Sequence, residues 1–165
     1  MSGIKSVCPG CDAELVTDNP GLDGRYNASR ACVGLFHELM VFTLTPQTYD
    51  FTHQILVDAY TAQHYRPDMK PVTITFALVG LYLVFERGYT GREAELAHME
   101  LGKKRRDWPR FSAPRAKAAL TVQDVIRAGT ENYREMIMKW GRSVWDVWSM
   151  EHGKVAGLVA GYFKI

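Results

Sequence analysis

The fold is decided by the stretch PVTITFALVGLYLVFER, which runs from Pro71 to Arg87 and is followed by Gly88. Proline suits the first position of a helix and glycine the position just past its end, so both limits of a helix are marked. The side chains between them are apolar nearly all round, which is typical of a helix covered by other helices. The apolar run is shorter than the ~20 residues that cross a bilayer, so we expect no membrane partner.

Helical patterns continue on both sides of this central helix. Further helices are predicted to begin at Ser29, Pro46, Thr90, Thr121 and Thr130. The last runs to about Tyr162, with kinks expected at Gly141, Gly153 and Gly157. The chain of 165 residues, 47% of them apolar, is long enough for one core. We therefore predict one all-α domain over 1–165: an irregular, Cys-containing, metal-binding arm at 1–28 and a bundle of five to six helices at 29–165.

The cysteines carry the clearest chemical signal. Cys8-Pro9-Gly10-Cys11 forms a C-x2-C turn, and Cys32 is the third and last cysteine of the chain. An odd number of cysteines argues against a disulfide framework, whereas three thiolates and one histidine are a common ligand set for zinc. The alternative is three reduced thiols with no ion. The sequence predicts zinc as the cofactor, with one ligand still to be found.

Helix geometry narrows the choice of the fourth ligand. If the first two helices form an antiparallel hairpin turning near Thr45, Cys32 lies level with Asp58. His64 then lies about 9 Å further along, beside the arm that carries the other two cysteines. His64 is therefore our first choice, with Asp58 or His53 behind it.

A second grouping of histidines is also conceivable in the bundle. His53 and His64 lie about 16 Å apart along one helix, so they cannot hold the same ion. His53 could instead meet His152 of the last helix, with Glu86 or Glu151 as a third ligand. The simpler interpretation is that both histidines form hydrogen bonds in or near the core. Asp58 either orients a metal-bound imidazole or pairs with an arginine of a neighbouring helix.

These motifs follow the order of a known family. The matching segments are Cys8-x2-Cys11, Ala28-Ser29-x2-Cys32, His53-Gln54-x2-Val57-Asp58-Ala59-Tyr60-x2-Gln63-His64, Leu83 to Gly88 and Trp145-x2-Trp148-x3-His152. The chain resembles an uncharacterised bacterial family of small helical proteins, known only as a domain of unknown function. The resemblance implies no activity, but it marks as family positions Cys8, Cys11, Cys32, His53, Asp58, His64 and His152. The overall plan is also similar to DinB-like bundles, whose metal is held by histidines from different helices.

A basic segment raises a third hypothesis. Residues 103–117 contain seven lysines and arginines against Asp107 alone, and Trp108 and Phe111 lie among them. Basic and aromatic residues together suit phosphate contacts with base stacking, as in a nucleic-acid-binding module. The alternative, which we favour, is a solvated loop whose aromatic side chains dock on the bundle.

Together these patterns predict a small metal-binding helical protein whose zinc ion is mainly structural. The first alternative is a DinB-like metal-dependent enzyme for thiol transfer or hydrolysis, and the second is nucleic-acid binding through 103–117. The absence of an export signal near Met1 predicts a cytoplasmic protein. The Trp-rich last helix is a candidate homodimer interface. The sequence leaves open whether the protein is an enzyme and which small molecule it would bind.

Overall fold

The computed structural model describes residues 3–44, 51–104 and 107–163. The described residues form two short strands and seven α-helices. They are β1 (Ile4–Val7), β2 (Glu14–Thr17), α1 (Arg30–Thr43), α2 (Thr52–Gln63), α3 (Pro71–Arg87), α4 (Gly91–Lys104), α5 (Val122–Arg127), α6 (Tyr133–Val147) and α7 (His152–Phe163). The predicted helical class is confirmed, although five to six helices were expected. The predicted turn at Thr45 and Pro46 lies outside the described residues.

Local signals placed several helix ends correctly. The Ser29 side chain accepts a hydrogen bond from the backbone N–H of Cys32 at 3.2 Å and so caps α1. Gly88 follows α3 with φ of 71°. At the start of α4, Thr90 and Glu93 exchange the two hydrogen bonds of a capping box.

Helix α3 is central, as its composition predicts. It packs against α2, α4, α6 and α7. Leu78, Leu81 and Leu83 are fully buried along its length. The helix is covered on most sides because its apolar side chains leave no face suited to water.

The N-terminal arm is more regular than expected. Strands β1 and β2 pair antiparallel, with Ile4 opposite Thr17 and Val7 opposite Glu14. The prediction of a wholly irregular arm was therefore wrong. These strands mix exposed charged and apolar residues over four positions each, so they lack the alternation that identifies a half-buried strand.

The last helix is not continuous. A 3₁₀ turn at Ser149–Glu151 separates α6 from α7, so the break does not fall at the predicted glycine kinks. The 3₁₀ turn has hydrogen bonds from Trp148 N to Trp145 O and from Glu151 N to Trp148 O. Trp145 and Trp148, three residues apart, are both buried in the core.

Residues 107–121, which include most of the basic segment, form no helix or strand. Phe111 is buried, and Trp108 packs edge-on against Phe76 of α3 with ring centroids 5.3 Å apart. Both aromatic side chains thus dock on the bundle, as the favoured alternative predicts, while Arg110 and Arg115 are exposed. Among the described residues, no helix is long and apolar enough to cross a membrane.

Candidate metal centre

Four buried side chains meet where the arm joins the helices. The Sγ atoms of Cys8, Cys11 and Cys32 and a ring nitrogen of His64 all lie within 4.8 Å of one another. Cys8, Cys32 and His64 have no exposed surface, and Cys11 is 4% exposed. These are the four residues predicted as ligands, and they are the only such group of three or more across the described parts of the chain.

The hairpin presents the first two cysteines. The backbone N–H of Cys8 bonds the carbonyl of Ala13 at 2.9 Å, and that of Asp12 bonds the carbonyl of Cys8 at 2.8 Å. Asp12 adopts a positive φ of 62°, a conformation that aspartate tolerates better than most residues. The resulting turn directs both thiols of the C-x2-C motif toward the helices.

The other two ligands stand at the adjoining ends of two packed helices. Cys32 lies in the first turn of α1, and His64 is the residue that ends α2. The Nε2 atom of His64 lies 3.5 Å from the Sγ of Cys32. The close approach of the two ends agrees with the helical hairpin from which His64 was chosen.

Gly10 allows the turn to lie against this histidine. A Cβ atom at position 10 would overlap the carbonyl oxygen of Asn27 and would lie 2.6 Å from Cδ2 of His64. Both neighbours are fixed, because the backbone N–H of Asn27 also bonds the carbonyl of His64 at 3.0 Å. Glycine is therefore required here for close packing.

The imidazole of His64 is held in one orientation. Its Nδ1 donates a hydrogen bond to the carbonyl of Tyr60 at 2.9 Å, one helical turn earlier. This bond leaves Nε2 as the free ring nitrogen on the side of the thiols. A histidine ligand typically donates its second ring N–H to a carbonyl in this way, which fixes its tautomer.

Tyr60 also contacts the thiols directly. Its hydroxyl donates a hydrogen bond to the Sγ of Cys32 at 3.4 Å. Its ring lies stacked between Phe36 and His64, with centroids 3.9 Å from each. Sequence reasoning did not assign a role to Tyr60, although its position one turn before His64 on α2 was a usable signal.

The three thiols differ in pKa because they share hydrogen bonds with one another. Hydrogen bonds from Cys11 and then Cys32 lower the pKa of Cys8 despite its burial. The bond from Cys32 lowers the pKa of Cys11, but the bond to Cys8, burial and the neighbouring charge outweigh it and raise that pKa to about 12. The pKa of Cys32 is raised by its bonds to Cys11 and Cys8 and by burial. Without a cation, the cluster thus stabilises only one thiolate.

This donor set fits a metal ion. Three buried sulfurs and one imidazole nitrogen are the ligands of tetrahedral zinc sites. A divalent cation would offset the repulsion that otherwise keeps two of the thiols protonated. The residues present therefore suit a soft or borderline cation far better than Mg²⁺ or Ca²⁺, which prefer oxygen ligands.

The two other predicted histidines lie in separate surroundings. Nδ1 of His53 and the hydroxyl of Thr43 form a hydrogen bond at 2.9 Å. His152 donates from Nε2 to the carbonyl of Trp145 at 2.9 Å and stacks on that indole at 3.8 Å. Neither belongs to a group of three metal-ligating side chains in the described residues. These contacts match the simpler interpretation, in which both histidines form hydrogen bonds.

Asp58 lies in the core but not at the thiols. Gln54 donates to its Oδ1 at 3.0 Å, and its Oδ2 faces Nε2 of His98 at 3.8 Å. Neither of these facing atoms has a hydrogen-bond partner. The expected arginine partner is thus replaced by a glutamine and a histidine. Burial raises the pKa of Asp58 well above its usual range and lowers that of His98 to about 4.

His98 is buried, although the charged residues Glu95 and Glu100 lie close to it in the sequence. Its side chain is 9% exposed and stacks on Phe76, with ring centroids 5.1 Å apart. The signal that would have found it is helical spacing, since Ala94, Ala97 and Leu101 mark the same buried face of α4.

The fold and site together define a small, mostly helical protein with a buried cluster of three cysteines and one histidine. The model of a family of unknown function, DUF5946, matches residues 6–149, so the chain belongs to that family. The matched region contains all four residues of the cluster. No curated protein and no solved structure matches the chain.

Proposed function

We propose that the protein is a metal-binding protein in which Cys8, Cys11, Cys32 and His64 hold one zinc ion with a mainly structural role. The observation that carries this proposal is the convergence of four buried ligand atoms within 4.8 Å. They come from the hairpin turn, the start of α1 and the end of α2, so an ion would join three parts of the chain.

The geometry favours a structural role over catalysis. Four protein ligands fill a tetrahedral coordination shell, whereas catalytic zinc sites keep one position open for water or substrate. The cluster is also closed to solvent, because only Cys11 has any exposed surface. The DinB-like alternative finds no comparable support, since His53 and His152 have separate hydrogen-bond partners.

Elemental analysis of the purified protein tests the proposal. We expect about one zinc per chain in the wild type, as for other four-ligand sites. Zinc should be lost in Cys8→Ser, Cys32→Ser and His64→Ala variants.

The matched controls are His53→Ala and His152→Ala, which should retain zinc because neither residue lies at the cluster. Wild-type protein without zinc, or with zinc unaffected by the cysteine substitutions, would contradict the proposal. Metal loss in the two control variants with the cysteines intact would favour the enzyme.

A further inference from the structure

Asp58 of α2 and His98 of α4 form a buried pair away from the cysteines. Oδ2 of Asp58 and Nε2 of His98 face each other at 3.8 Å, and each is buried without a hydrogen-bond partner. Gly80 of α3 lies against both atoms, since a Cβ atom there would overlap Oδ2. Buried polar atoms nearly always have partners, so two unsatisfied atoms that face each other indicate an incomplete hydrogen bond between them.

The neighbouring hydrogen bonds fix the direction of this missing bond. Nε2 of Gln54 donates to Oδ1 of Asp58 at 3.0 Å, so Oδ1 is the accepting oxygen of the carboxyl group. The ring of His98 bonds the backbone of Phe76 in a way that raises its pKa, as donation to a carbonyl does. Because Nε2 has no partner, this bond belongs to Nδ1, which carries the ring proton. Nε2 is then an acceptor, and it faces an oxygen that can donate only when the carboxyl group is protonated.

The surroundings favour the neutral form of both groups. Burial raises the pKa of Asp58 well above its usual range, against the bond from Gln54, and lowers the pKa of His98 to about 4. The part of α3 against the pair presents an aromatic ring and a glycine, which do not titrate. The charged residues of α4 on either side of the histidine are paired with neighbours on the same helix, Glu95 with Arg92 and Glu100 with Lys103. A protonated carboxyl group beside a neutral imidazole therefore suits both the geometry and the burial.

Helix α4 has few other buried contacts to hold it. It packs against α2 and α3. Its buried residues are Gly91, Ala94, Ala97, His98 and Leu101, so the histidine is one of the two large side chains on that face. An ionised carboxylate left buried beside an acceptor costs free energy, and elements with few buried contacts are the first to open locally.

We propose that Asp58 and His98 form a proton-operated latch that holds α4 on α2 and α3. With one proton on the pair, Oδ2 donates to Nε2 and completes a chain of hydrogen bonds from Gln54 to the backbone of α3. When hydroxide or a buffer base removes that proton, two acceptors face each other. Water then enters, and α4 separates from α2 and α3 while the other helices stay packed. The latch opens as the pH rises and does not involve the ligands of the metal cluster.

Infrared spectroscopy of the purified protein at neutral pH tests where the proton lies. We expect the C=O stretching band of a protonated carboxyl group in the wild type and its loss in Asp58→Asn. Asp146→Asn, at an exposed position on α6, is the matched control and should keep the band. ¹⁵N NMR should show a neutral His98 with its proton on Nδ1. A wild type without the band, a band that survives in Asp58→Asn, or a charged His98 would overturn the proposal.

Hydrogen exchange at rising pH tests the latch itself. The amide of Asp58→Asn can accept from Gln54 and donate to His98 at every pH, so this variant should stay closed. Once Asp58 ionises in the wild type, the protection of α4 amides should fall by up to about tenfold per pH unit, because opening releases one proton. The amides of α6 should keep their protection.

Three outcomes would overturn the latch. The first is an equal loss of protection in α4 and α6, and the second is the same loss in Asp58→Asn. The third is full protection of α4 in the wild type up to the most alkaline pH at which the protein stays folded, whether or not the infrared band has disappeared.

Discussion

The ammonium group of Lys117 donates a hydrogen bond to the carbonyl of Gly10 over 3.2 Å, and a second to the carbonyl of Pro9. Gly10 and Pro9 are the two residues between Cys8 and Cys11. The basic segment and the cysteine turn, which the sequence presents as unrelated features, are therefore one contact surface.

Lys117→Met keeps the length of the side chain and removes both hydrogen bonds. We expect the ion to remain bound while residues 107–121 loosen, at a cost of about 1 kcal/mol in the free energy of unfolding. Limited trypsin digestion should then cut after Arg115 several times faster than in the wild type. Lys139→Met, an exposed lysine on α6 paired with Glu135, is the control. Equal rates of cleavage in Lys117→Met and wild type would show that the contact does not hold the segment.

Tyr60→Phe removes only the hydroxyl group that bonds Cys32. The stacking on Phe36 and His64 is retained, so the variant should fold. We expect zinc affinity to fall about tenfold, since groups that bond a metal ligand typically contribute 10–100-fold. Competition with a chromophoric chelator measures the affinity. Tyr26→Phe is the control, because Tyr26 packs edge-on against Tyr60 at 5.2 Å without contacting a thiol; a similar loss in both variants would contradict this role.

Removal of zinc should destabilise the whole protein. An ion that binds only the folded state contributes about 3–4 kcal/mol when its concentration is 100–1,000 times the dissociation constant. For a chain of this length, that corresponds to a fall in Tm of roughly 10 °C on chelation. Differential scanning calorimetry with and without a chelator measures this change in Tm. The chelator should not lower the Tm of the His64→Ala variant, which has already lost the ion. An unchanged wild-type Tm would show that the ion is not structural.

The buried pair of Asp58 on α2 and His98 on α4 should make the free energy of unfolding depend on pH. The pKa of His98 falls from its usual 6.5 to about 4 on burial, so the folded state favours the neutral imidazole. The contribution of the neutral imidazole to the free energy of unfolding is fully present above pH 6.5 and is lost as the pH falls through 4. Urea unfolding of wild type and His98→Gln from pH 7 to 4 should therefore show a steeper loss for the wild type, approaching about 3 kcal/mol.

Asp58 has the opposite effect, because burial raises the pKa of its carboxyl group. The contribution of the protonated carboxyl group to the free energy of unfolding is lost as the pH rises through the pKa of the folded state. Asp58→Asn can still bond Gln54, so it should gain stability relative to the wild type as the pH rises. Parallel pH profiles for the wild type and both variants would show that neither group titrates differently on folding.

Gly80 allows Asp58 to lie against α3. A Cβ atom there would overlap Oδ2 of Asp58 and would lie 2.9 Å from Nε2 of His98. Gly80→Ala should lower the free energy of unfolding by about 1–3 kcal/mol through overpacking. Gly34→Ala on α1, where nothing lies within 4 Å, should instead raise it by about 0.5–1 kcal/mol. Chemical denaturation compares the two, and a stabilising effect at both positions would contradict the close packing.

The sequence predicts features that depend on neighbouring residues better than those that depend on distant ones. Ser29, Gly88 and Thr90 mark helix ends because a cap is a local interaction. His64 could be chosen because two consecutive helices nearly fix its place relative to Cys32. That it is a zinc ligand stays a prediction.

The remaining features arise from contacts between distant segments. Lys117 reaches the cysteine turn across more than 100 residues, and no local pattern encodes that contact. The tryptophans of the predicted homodimer interface, Trp140, Trp145 and Trp148, are buried within the protein, and the homodimer stays a prediction. Nucleic-acid binding also stays a prediction.

The order of the ligands along the chain has a consequence for how the ion is acquired. All four precede residue 65. Lys117, which bonds the carbonyl of Gly10, and Trp148, which lines the same cleft as Gly10, are made much later. Because synthesis proceeds from the N-terminus, the thiols and the imidazole leave the ribosome before their cover exists. In the proposed zinc protein, the nascent chain would load the ion while the cluster is open. The later segments would then cover the cysteine turn and slow the exchange of the metal.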